Sequence, residues 1–176
     1  ERVARSFNDS DFRGVACAAK THASNWTTVA EGRWERTDEW GNTWARLDPT
    51  SKGEVAAGVL DDLAAIDSYQ FPDYSRPEDY AVVSKCRSEY PYKWIIGSLP
   101  GFSFNIARKM RKLDLYLIDL MTDADRIHAL HDRIDVILET MIRNYAAAGV
   151  DSVMFPEDWG TQNQTLINPQ LWRDEF

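Results

Sequence analysis

The chain has 176 residues and a formal net charge of −8, and 44% of its residues are hydrophobic. This length suits one domain with a buried core, and so acidic a surface disfavours nonspecific binding to nucleic acid or to anionic membranes. Cys17 and Cys86 lie far apart without a CxxC motif, which argues against a disulfide framework or a zinc ribbon and for reduced cysteines in the cytoplasm. The sequence has no run of about 18 apolar residues, so we expect no membrane span.

The first part of the chain predicts a lead-in segment, two short strands and a hairpin. In order, these are the polar lead-in 1–13, the strands 14–18 and 25–30, and the hairpin strands 33–37 and 43–47. The hairpin prediction depends on the Gly41-Asn42 turn between two short β-favouring segments. Such a hairpin would lie across an end or an edge of a parallel sheet.

The middle of the chain predicts two helices, a strand and a third helix. In order, these are the helix 51–68, the helix 77–90, the strand 92–97 and the helix 102–112. Apolar residues from Val55 to Ile66 recur at spacings that would place them on one helix face. Pro77 marks the start of the second helix, since proline is favoured at the first helical position.

The last part of the chain predicts a long helix followed by a buried strand and a new helix. Apolar residues from Ile127 to Tyr145 recur at steps of three and four, after a short helix at 114–121. Gly149 ends the long helix, and the strand 150–155 follows. Asn168-Pro169 then has the cap and first-position residues of a further helix. This order predicts consecutive βα units, in which chemistry belongs to the loops after the strands.

The loop after the last strand supplies four candidate substrate-binding residues. Glu157 and Asp158 are adjacent carboxylates that can act as acid or base, or bind a cation or an amine. Their alternative role is a solvated loop that caps the next turn. Trp159 would pack over a planar ligand or form part of the wall of the site. Gln162 would offer its amide to a substrate or make a hydrogen bond within the loop.

Two further segments supply the remaining candidates. Asp38 and Trp40 belong to the acidic and aromatic cluster Asp38-Glu39-Trp40-Gly41, whose alternative is an edge hairpin with tryptophans packed on helices. Phe102 ends the loop GSLPGF, residues 97–102, where glycine lets a ligand approach the backbone closely. The alternative is an ordinary tight connection into the next helix. The loop has neither a GxGxxG motif nor a Walker pattern.

The histidine pair on the long helix is interpreted as a surface feature. His128 and His131 are three residues apart, a spacing that can bind a metal, but they lie in mid-helix and far from any strand end. We therefore assign no metal ligand within this chain, and no catalytic residue is identified from the sequence. The cationic cluster 108–112 is too small on so acidic a protein to predict nucleic-acid binding.

The segment FPEDWGTQNQTLINPQLWRDEF, residues 155–176, resembles a segment of the uroporphyrinogen decarboxylase-like superfamily with the pattern DDWG-Q followed by Pro, Trp and Phe. Within that superfamily it is similar to the branch that contains cobamide-dependent methyltransferases. The resemblance extends loosely back through Asp38-Glu39-Trp40-Gly41, the strand 94–97 and the long helix before Gly149. Members of the superfamily are (β/α)8 barrels.

The resemblance implies that residues 1–176 are a single partial domain, the central part of a truncated (β/α)8 TIM barrel. A complete barrel typically needs ~250 residues, so the chain is expected to be an internal piece of a longer protein. The three loops around Asp38, Phe102 and Asp158 would then form part of the mouth of the barrel. The hairpin would lie near that mouth.

The resemblance also implies cofactors and partners that the chain itself does not contain. Cobamide-linked methyltransferases use a zinc ion held by a His-x-Cys motif and a later cysteine, and in the family that motif lies C-terminal to the segment ending at Phe176. Zinc and a corrinoid protein are therefore expected for the full-length protein. The expected ligand within the chain is a small-molecule substrate, without nucleic acid or membrane.

The preferred function is an enzymatic methyl transfer in a corrinoid-dependent pathway. One alternative is a tetrapyrrole decarboxylase, whose loop and helix bring a tyrosine to the substrate. Residues 102–107 contain no tyrosine, and the arginine-rich N-terminal motif of those enzymes is missing, which counts against this alternative. A second alternative is a non-catalytic binding or partner subunit, because a fold does not fix a function.

Overall fold

The computed structural model describes residues 10–176. Of the lead-in predicted at 1–13, residues 1–9 therefore lie outside the described residues. Seven strands are present in the described part, namely β1 (Phe12–Val15), β2 (Thr27–Ala30), β3 (Arg33–Thr37), β4 (Thr43–Arg46), β5 (Glu54–Ala57), β6 (Trp94–Ser98) and β7 (Ser152–Met154). Five α-helices accompany them, namely α1 (Ala81–Glu89), α2 (Ser103–Met110), α3 (Leu113–Thr122), α4 (Ala124–Ala148) and α5 (Pro169–Glu175). Two 3-10 helices precede α1, at Leu63–Asp67 and Pro77–Tyr80.

Strands β1, β6 and β7 form a parallel sheet in that order. Gly14 of β1 pairs with Ile96 of β6, and Ile96 pairs in turn with Ser152 of β7. The long connection between β6 and β7 contains α2, α3 and α4, as a parallel crossover requires. The predicted βα arrangement of the second half is therefore confirmed. All three strand ends lie at one edge, which we call the carboxyl edge.

Strands β2 to β5 form a separate antiparallel sheet in sequence order. The hairpin of β3 and β4 agrees with its prediction, with Thr37 paired to Thr43 across the turn. Gly41 has a φ of 84° in that turn, a conformation that favours glycine. The residues of these four strands are exposed or only half-buried.

The hydrophobic core lies between α4 and the elements that surround it. Ile127, Leu130, Ile134, Leu138 and Tyr145 share one buried face of α4, at the predicted three- and four-residue steps. Helix α4 begins after Asp123 and ends where Gly149 adopts the left-handed conformation. A single apolar stripe of this length therefore organises most of the core.

The sheet and α4 approach each other closely at Gly97. A Cβ atom on Gly97 would lie 2.8 Å from the Tyr145 ring, so a side chain in this part of β6 would displace the tyrosine. Gly14, which lies on the neighbouring strand, has no such restriction, because its nearest atom is the Ser98 Oγ at 4.0 Å. The absence of a side chain at Gly97 lets the Tyr145 ring reach the carboxyl edge.

The predicted (β/α)8 barrel is wrong for the described residues 10–176. The parallel sheet has three strands and is open, and the other four strands form an antiparallel sheet. The connections from β2 to β3 and from β3 to β4 are too short for parallel crossovers, which need a dozen or more residues. These connections therefore dictate antiparallel pairing.

The predicted helix at 51–68 is also wrong. Val55 lies in β5 and pairs with Trp44 of β4. Within the segment only Leu63–Asp67 is helical, and it forms a 3-10 helix. Gly53 has a φ of 76°, and a Cβ atom on Gly58 would lie 2.2 Å from the Met110 carbonyl oxygen. Gly53 allows the chain to approach the Ala45 backbone in β4, and Gly58 allows it to approach the end of α2. These close backbone contacts override the helical spacing of the apolar residues.

Candidate functional site

A pocket of about 350 Å³ opens at the carboxyl edge, beside the ends of β1 and β6. We call it the carboxyl-edge pocket. Its wall combines apolar surface with a thiol, three hydroxyl-bearing side chains and a carboxylate from separate segments. The lining includes Cys17, Thr21, Glu39, Tyr74, Ser98 and Leu99. In open α/β sheets ligands bind outside the carboxyl ends of the strands, so this pocket has the position expected of a ligand site.

The Tyr145 hydroxyl fixes the two strand ends that border the pocket. It accepts a hydrogen bond from the Cys17 backbone N–H at 2.8 Å and donates to the Ser98 carbonyl oxygen at 3.0 Å. The loops after β1 and β6 are thereby joined through one side chain of α4. The pocket wall is consequently preorganised before any ligand arrives.

Burial keeps the ionisable groups around Tyr145 neutral. It raises the pKa of the Cys17 thiol above its usual value, although hydrogen bonds from Ala19 and Tyr145 oppose the effect. Burial likewise raises the pKa of the Tyr74 and Tyr145 hydroxyls. At neutral pH the pocket therefore presents a protonated thiol rather than a thiolate nucleophile.

Glu157 lies in the loop after β7, against the loop after β6. Its Oε1 atom accepts a hydrogen bond from the Phe102 N–H, and the neighbouring Pro156 carbonyl accepts one from Asn105 Nδ2 at 3.2 Å. The Oε2 atom is enclosed and has no hydrogen-bond partner among residues 10–176. Burial raises the pKa of this carboxyl, while the Phe102 N–H and the cations Arg108 and Lys109 lower it. Glu157 thus joins the loops after β6 and β7, and it is not among the residues that line the carboxyl-edge pocket.

Asp38 and Trp40 are occupied within the protein. The Asp38 carboxylate accepts hydrogen bonds from the Trp40 and Asn42 backbone N–H groups, the Asn42 amide and the Trp44 indole, at 2.7–3.0 Å. Trp40 is 3% exposed and packs on Phe71 and Tyr74. These contacts correspond to the alternative reading of a structural hairpin. The neighbouring Glu39 is exposed, and it contributes to the pocket wall.

The remaining predicted site residues lie in three different environments. Phe102 is 37% exposed and packs edge-on against Phe155. Trp159 stacks on Phe104 with ring centres 4.1 Å apart, so it forms part of a wall. Asp158 and Gln162 are exposed, and Asp158 accepts a hydrogen bond from the Gly160 N–H at 3.4 Å.

The structure brings the three predicted segments into one neighbourhood. Glu39 and the loop after β6 line the same pocket, and Glu157 contacts Phe102 in that loop. Lys109 lies close enough to Asp38, Glu39 and Glu157 for each carboxylate to raise its pKa. Gln162 contacts none of these groups in the described part of the chain. Substrate binding by the seven predicted residues remains a prediction.

The histidine pair is divided between surface and core. His128 is exposed and its Nε2 lies 2.6 Å from Glu175 Oε2, whereas His131 is 8% exposed and 3.1 Å from the Tyr116 hydroxyl. The surface interpretation is therefore wrong for His131, which lies on the buried face of α4. Burial lowers the pKa of His131 to about 4. A spacing of three residues could not show that only one histidine faces the core.

The zinc ion implied by the resemblance was expected to be held by residues outside this chain, so zinc binding by the full-length protein remains a prediction. Within residues 10–176 no group of three or more His, Cys, Asp or Glu side chains is arranged to hold a metal ion. Structural and catalytic zinc sites both need at least three protein ligands.

Sequence reasoning missed the residues that the loop after β1 contributes. Cys17 and Thr21 line the pocket, and Tyr74 reaches it from the segment before the second 3-10 helix. The position of Cys17 had a usable signal, since the loop after any parallel strand meets the same edge as the others. Tyr74 had none, because its approach depends on long-range packing against Trp40 and Tyr80.

Comparisons with protein-family models, with curated proteins and with solved structures each find no match to this chain. Among the helices of residues 10–176, none combines the length and the apolar character needed to cross a membrane.

Proposed function

We propose that the carboxyl-edge pocket binds a small-molecule substrate and that the chain serves methyl transfer in a corrinoid-dependent pathway. One observation carries the binding proposal: groups from three separate segments, at Cys17, Glu39 and Ser98, line one pocket at the ends of parallel strands. The reaction class is supported by the resemblance of residues 155–176 to cobamide-dependent methyltransferases.

The chain's own residues would orient the substrate and exchange a proton. The acceptor heteroatom of the substrate would form a bond to the methyl group and lose its proton, while the bond between the methyl group and its donor breaks and leaves its electron pair on the donor. Glu39 suits this proton transfer, because it is the carboxylate that lines the pocket. Thr21 and Glu39 would hold polar groups of the substrate.

The test uses the full-length protein from its source with methylcobalamin and a panel of small thiols, alcohols and amines. We expect a methylated product by mass spectrometry, at least tenfold less with Glu39→Gln, and an unchanged amount with Glu35→Gln. Glu35 is a matched control because its carboxylate pairs with Arg33 outside the pocket. Unfolding midpoints of both variants should equal that of the parent.

Each alternative has its own result. Binding of uroporphyrin without any methylated product would replace methyl transfer by tetrapyrrole chemistry. If neither a methylated product nor uroporphyrin binding is found and another protein co-purifies, the chain would be a partner subunit. Equal activity of Glu39→Gln and Glu35→Gln would remove the carboxyl-edge pocket from the reaction.

A further inference from the structure

A second cleft, of about 610 Å³, lies between the antiparallel sheet and the junction of α2 with α3. We call it the basic cleft. One wall comes from β4 and β5, and the other from the end of α2 and the start of α3. Its lining residues are Trp44, Gly53, Glu54, Val55, Ala56, Arg108, Lys109, Lys112, Leu113 and Asp114. Its volume is in the range of small-molecule sites, which measure ~300–1,000 Å³.

Three cations line one wall of the basic cleft without a carboxylate partner. Arg108 donates to the neutral Asn105 Oδ1 at 3.0 and 3.2 Å and lies over the Phe104 ring. Lys109 Nζ lies 5.8 Å from the centre of the Trp44 ring. Within residues 10–176, neither Lys109 nor Lys112 forms an ion pair or a side-chain hydrogen bond. On a chain of net charge −8, such a group of unpaired cations is unusual.

The surroundings of Lys109 make its charge unfavourable in the unliganded protein. Burial lowers the pKa of Lys109, and the adjacent Arg108 lowers it further, while Asp38, Glu157 and Glu39 act in the opposite direction. Glu54 and Asp114 line the cleft but are exposed, and neither pairs with the cations. An anion between the three cations would offset both burial and mutual repulsion.

The backbone at the cleft adds to its positive potential. Helix α3, of ten residues, begins at the cleft, and the N-terminal end of a helix favours anions. Lys112 precedes this helix with a φ of 67°, the single positive φ of a non-glycine residue in the described range. That conformation directs the chain sharply from α2 into α3 and keeps Lys112 beside the cleft.

We propose that the basic cleft binds a small molecule with two anionic groups, either a pyrophosphate or a dicarboxylate, through Arg108, Lys109 and Lys112. This site is separate from the carboxyl-edge pocket and does not depend on the proposed methyl transfer. Two anionic groups match the cation count better than one, since a single charge would leave two cations uncompensated.

The test is isothermal titration calorimetry of the full chain with sodium pyrophosphate and with sodium succinate, at constant ionic strength. We expect one of the two probes to bind at one site per chain, and affinity to fall as salt rises. Lys109→Gln and Lys112→Gln should each weaken binding at least tenfold. Lys85→Gln, an exposed lysine on α1 outside the cleft, should change it less than twofold.

The two probes distinguish the source of the anionic groups. Binding of pyrophosphate alone would identify a phosphate site, and binding of succinate alone would identify a carboxylate site. Binding of both would identify a general site for molecules with two anionic groups. Binding of neither probe would overturn the proposal. It would also be overturned if Lys85→Gln weakened binding as much as Lys109→Gln, or if a polyglutamate peptide bound and the small probes did not. Lys112→Gln keeps the test valid if Lys109→Gln fails to fold.

Discussion

The parallel sheet and the antiparallel sheet are stabilised by different interactions. Strands β1 and β6 contribute buried residues, such as Val15 and Ile95, that pack within the hydrophobic core around α4. No residue of β2 to β5 is fully buried in the described structure. Instead, the guanidinium of Arg46 lies 4.3 Å from the Trp26 ring centre, and that of Arg36 lies 5.2 Å from it.

This difference shows how one chain stabilises two sheets with one core. Burial of apolar area supplies the larger free energy, and in the described structure the buried strand residues all belong to the parallel sheet. Cation–π contacts contribute roughly 0.5–1 kcal/mol each at exposed sites, which suits a sheet that lies at the periphery. Perturbations should therefore have unequal effects on the two sheets.

The largest loss of stability is expected from a substitution in the hydrophobic core. Ile134→Ala removes a fully buried side chain from α4 and should lower the free energy of unfolding by about 2–5 kcal/mol. Urea denaturation followed by circular dichroism measures it. Val136→Ala on the exposed face of the same helix should change it by less than about 0.5 kcal/mol. Equal losses would mean that α4 does not organise the core.

In the antiparallel half, the Asp38 carboxylate accepts four hydrogen bonds around the turn between β3 and β4. Asp38→Ala leaves buried donors of Trp40, Asn42 and Trp44 unsatisfied and should cost about 3 kcal/mol of unfolding free energy. Glu39→Ala, one residue further on, should cost less than about 0.5 kcal/mol. A stable Asp38→Ala variant that loses ligand binding would instead assign Asp38 to a binding site.

A single methyl group tests the contact between β6 and α4. Gly97→Ala should lower the free energy of unfolding by about 2 kcal/mol, because its Cβ would overlap the Tyr145 ring. Gly14→Ala, in the paired strand of the same sheet, is the matched control with ordinary space around its Cβ. Chemical denaturation of both variants provides the comparison, and a smaller loss for Gly97→Ala than for Gly14→Ala would contradict the packing described.

Acid should weaken the helical layer through His131. The folded pKa of about 4 lies below the ordinary value of 6.5, so the unfolded chain binds the proton more readily. The stability contribution of His131 is complete above pH 6.5 and is lost as pH falls towards 4, by on the order of 2 kcal/mol. Urea unfolding at pH 7 and pH 5 should show a smaller difference for His131→Gln than for the parent. His22→Gln, an exposed histidine, should behave like the parent.

The smallest effect is expected from the periphery. Arg46→Gln removes contacts with the Trp26 and Trp34 rings and should cost about 1 kcal/mol of unfolding free energy. Arg33→Gln removes a surface ion pair with Glu35 and should cost no more than about 0.5 kcal/mol. If Arg46→Gln were as costly as Ile134→Ala, the antiparallel sheet would have a core of its own.

Local patterns predicted the elements whose residues act through neighbours in sequence. The stripe on α4, the Asn168 cap of α5 and the hairpin around Gly41 follow from spacing, capping and turn chemistry. The segment 51–68 was mispredicted because its apolar spacing is helical, whereas contact of Gly58 with α2 decides its conformation. Sheet closure depends on connection lengths and on pairing across the chain, and the resemblance alone gave a barrel that the strands do not form.

For the candidate site as well, features that depend on local sequence were predictable and features that depend on long-range packing were not. Loop positions after strands predicted the neighbourhood of Ser98 and Glu157, because parallel strands end at one edge. The different environments of Asp38 and Glu39 were not predictable from the sequence. The two residues are adjacent and both acidic, and only the packing of the turn decides which carboxylate is enclosed. The unpaired state of Lys109 likewise depends on long-range packing.

The Tyr145 hydroxyl gives the Cys17 amide hydrogen an unusual property. An amide in an irregular loop after a strand normally exchanges with solvent deuterium quickly, because loops open at little cost in free energy. Here the amide hydrogen is held by a side chain from a helix 128 residues further along the chain. The exchange rate of this amide hydrogen therefore reports how often α4 separates from the strand ends. A single residue thus allows the opening of the pocket wall to be measured.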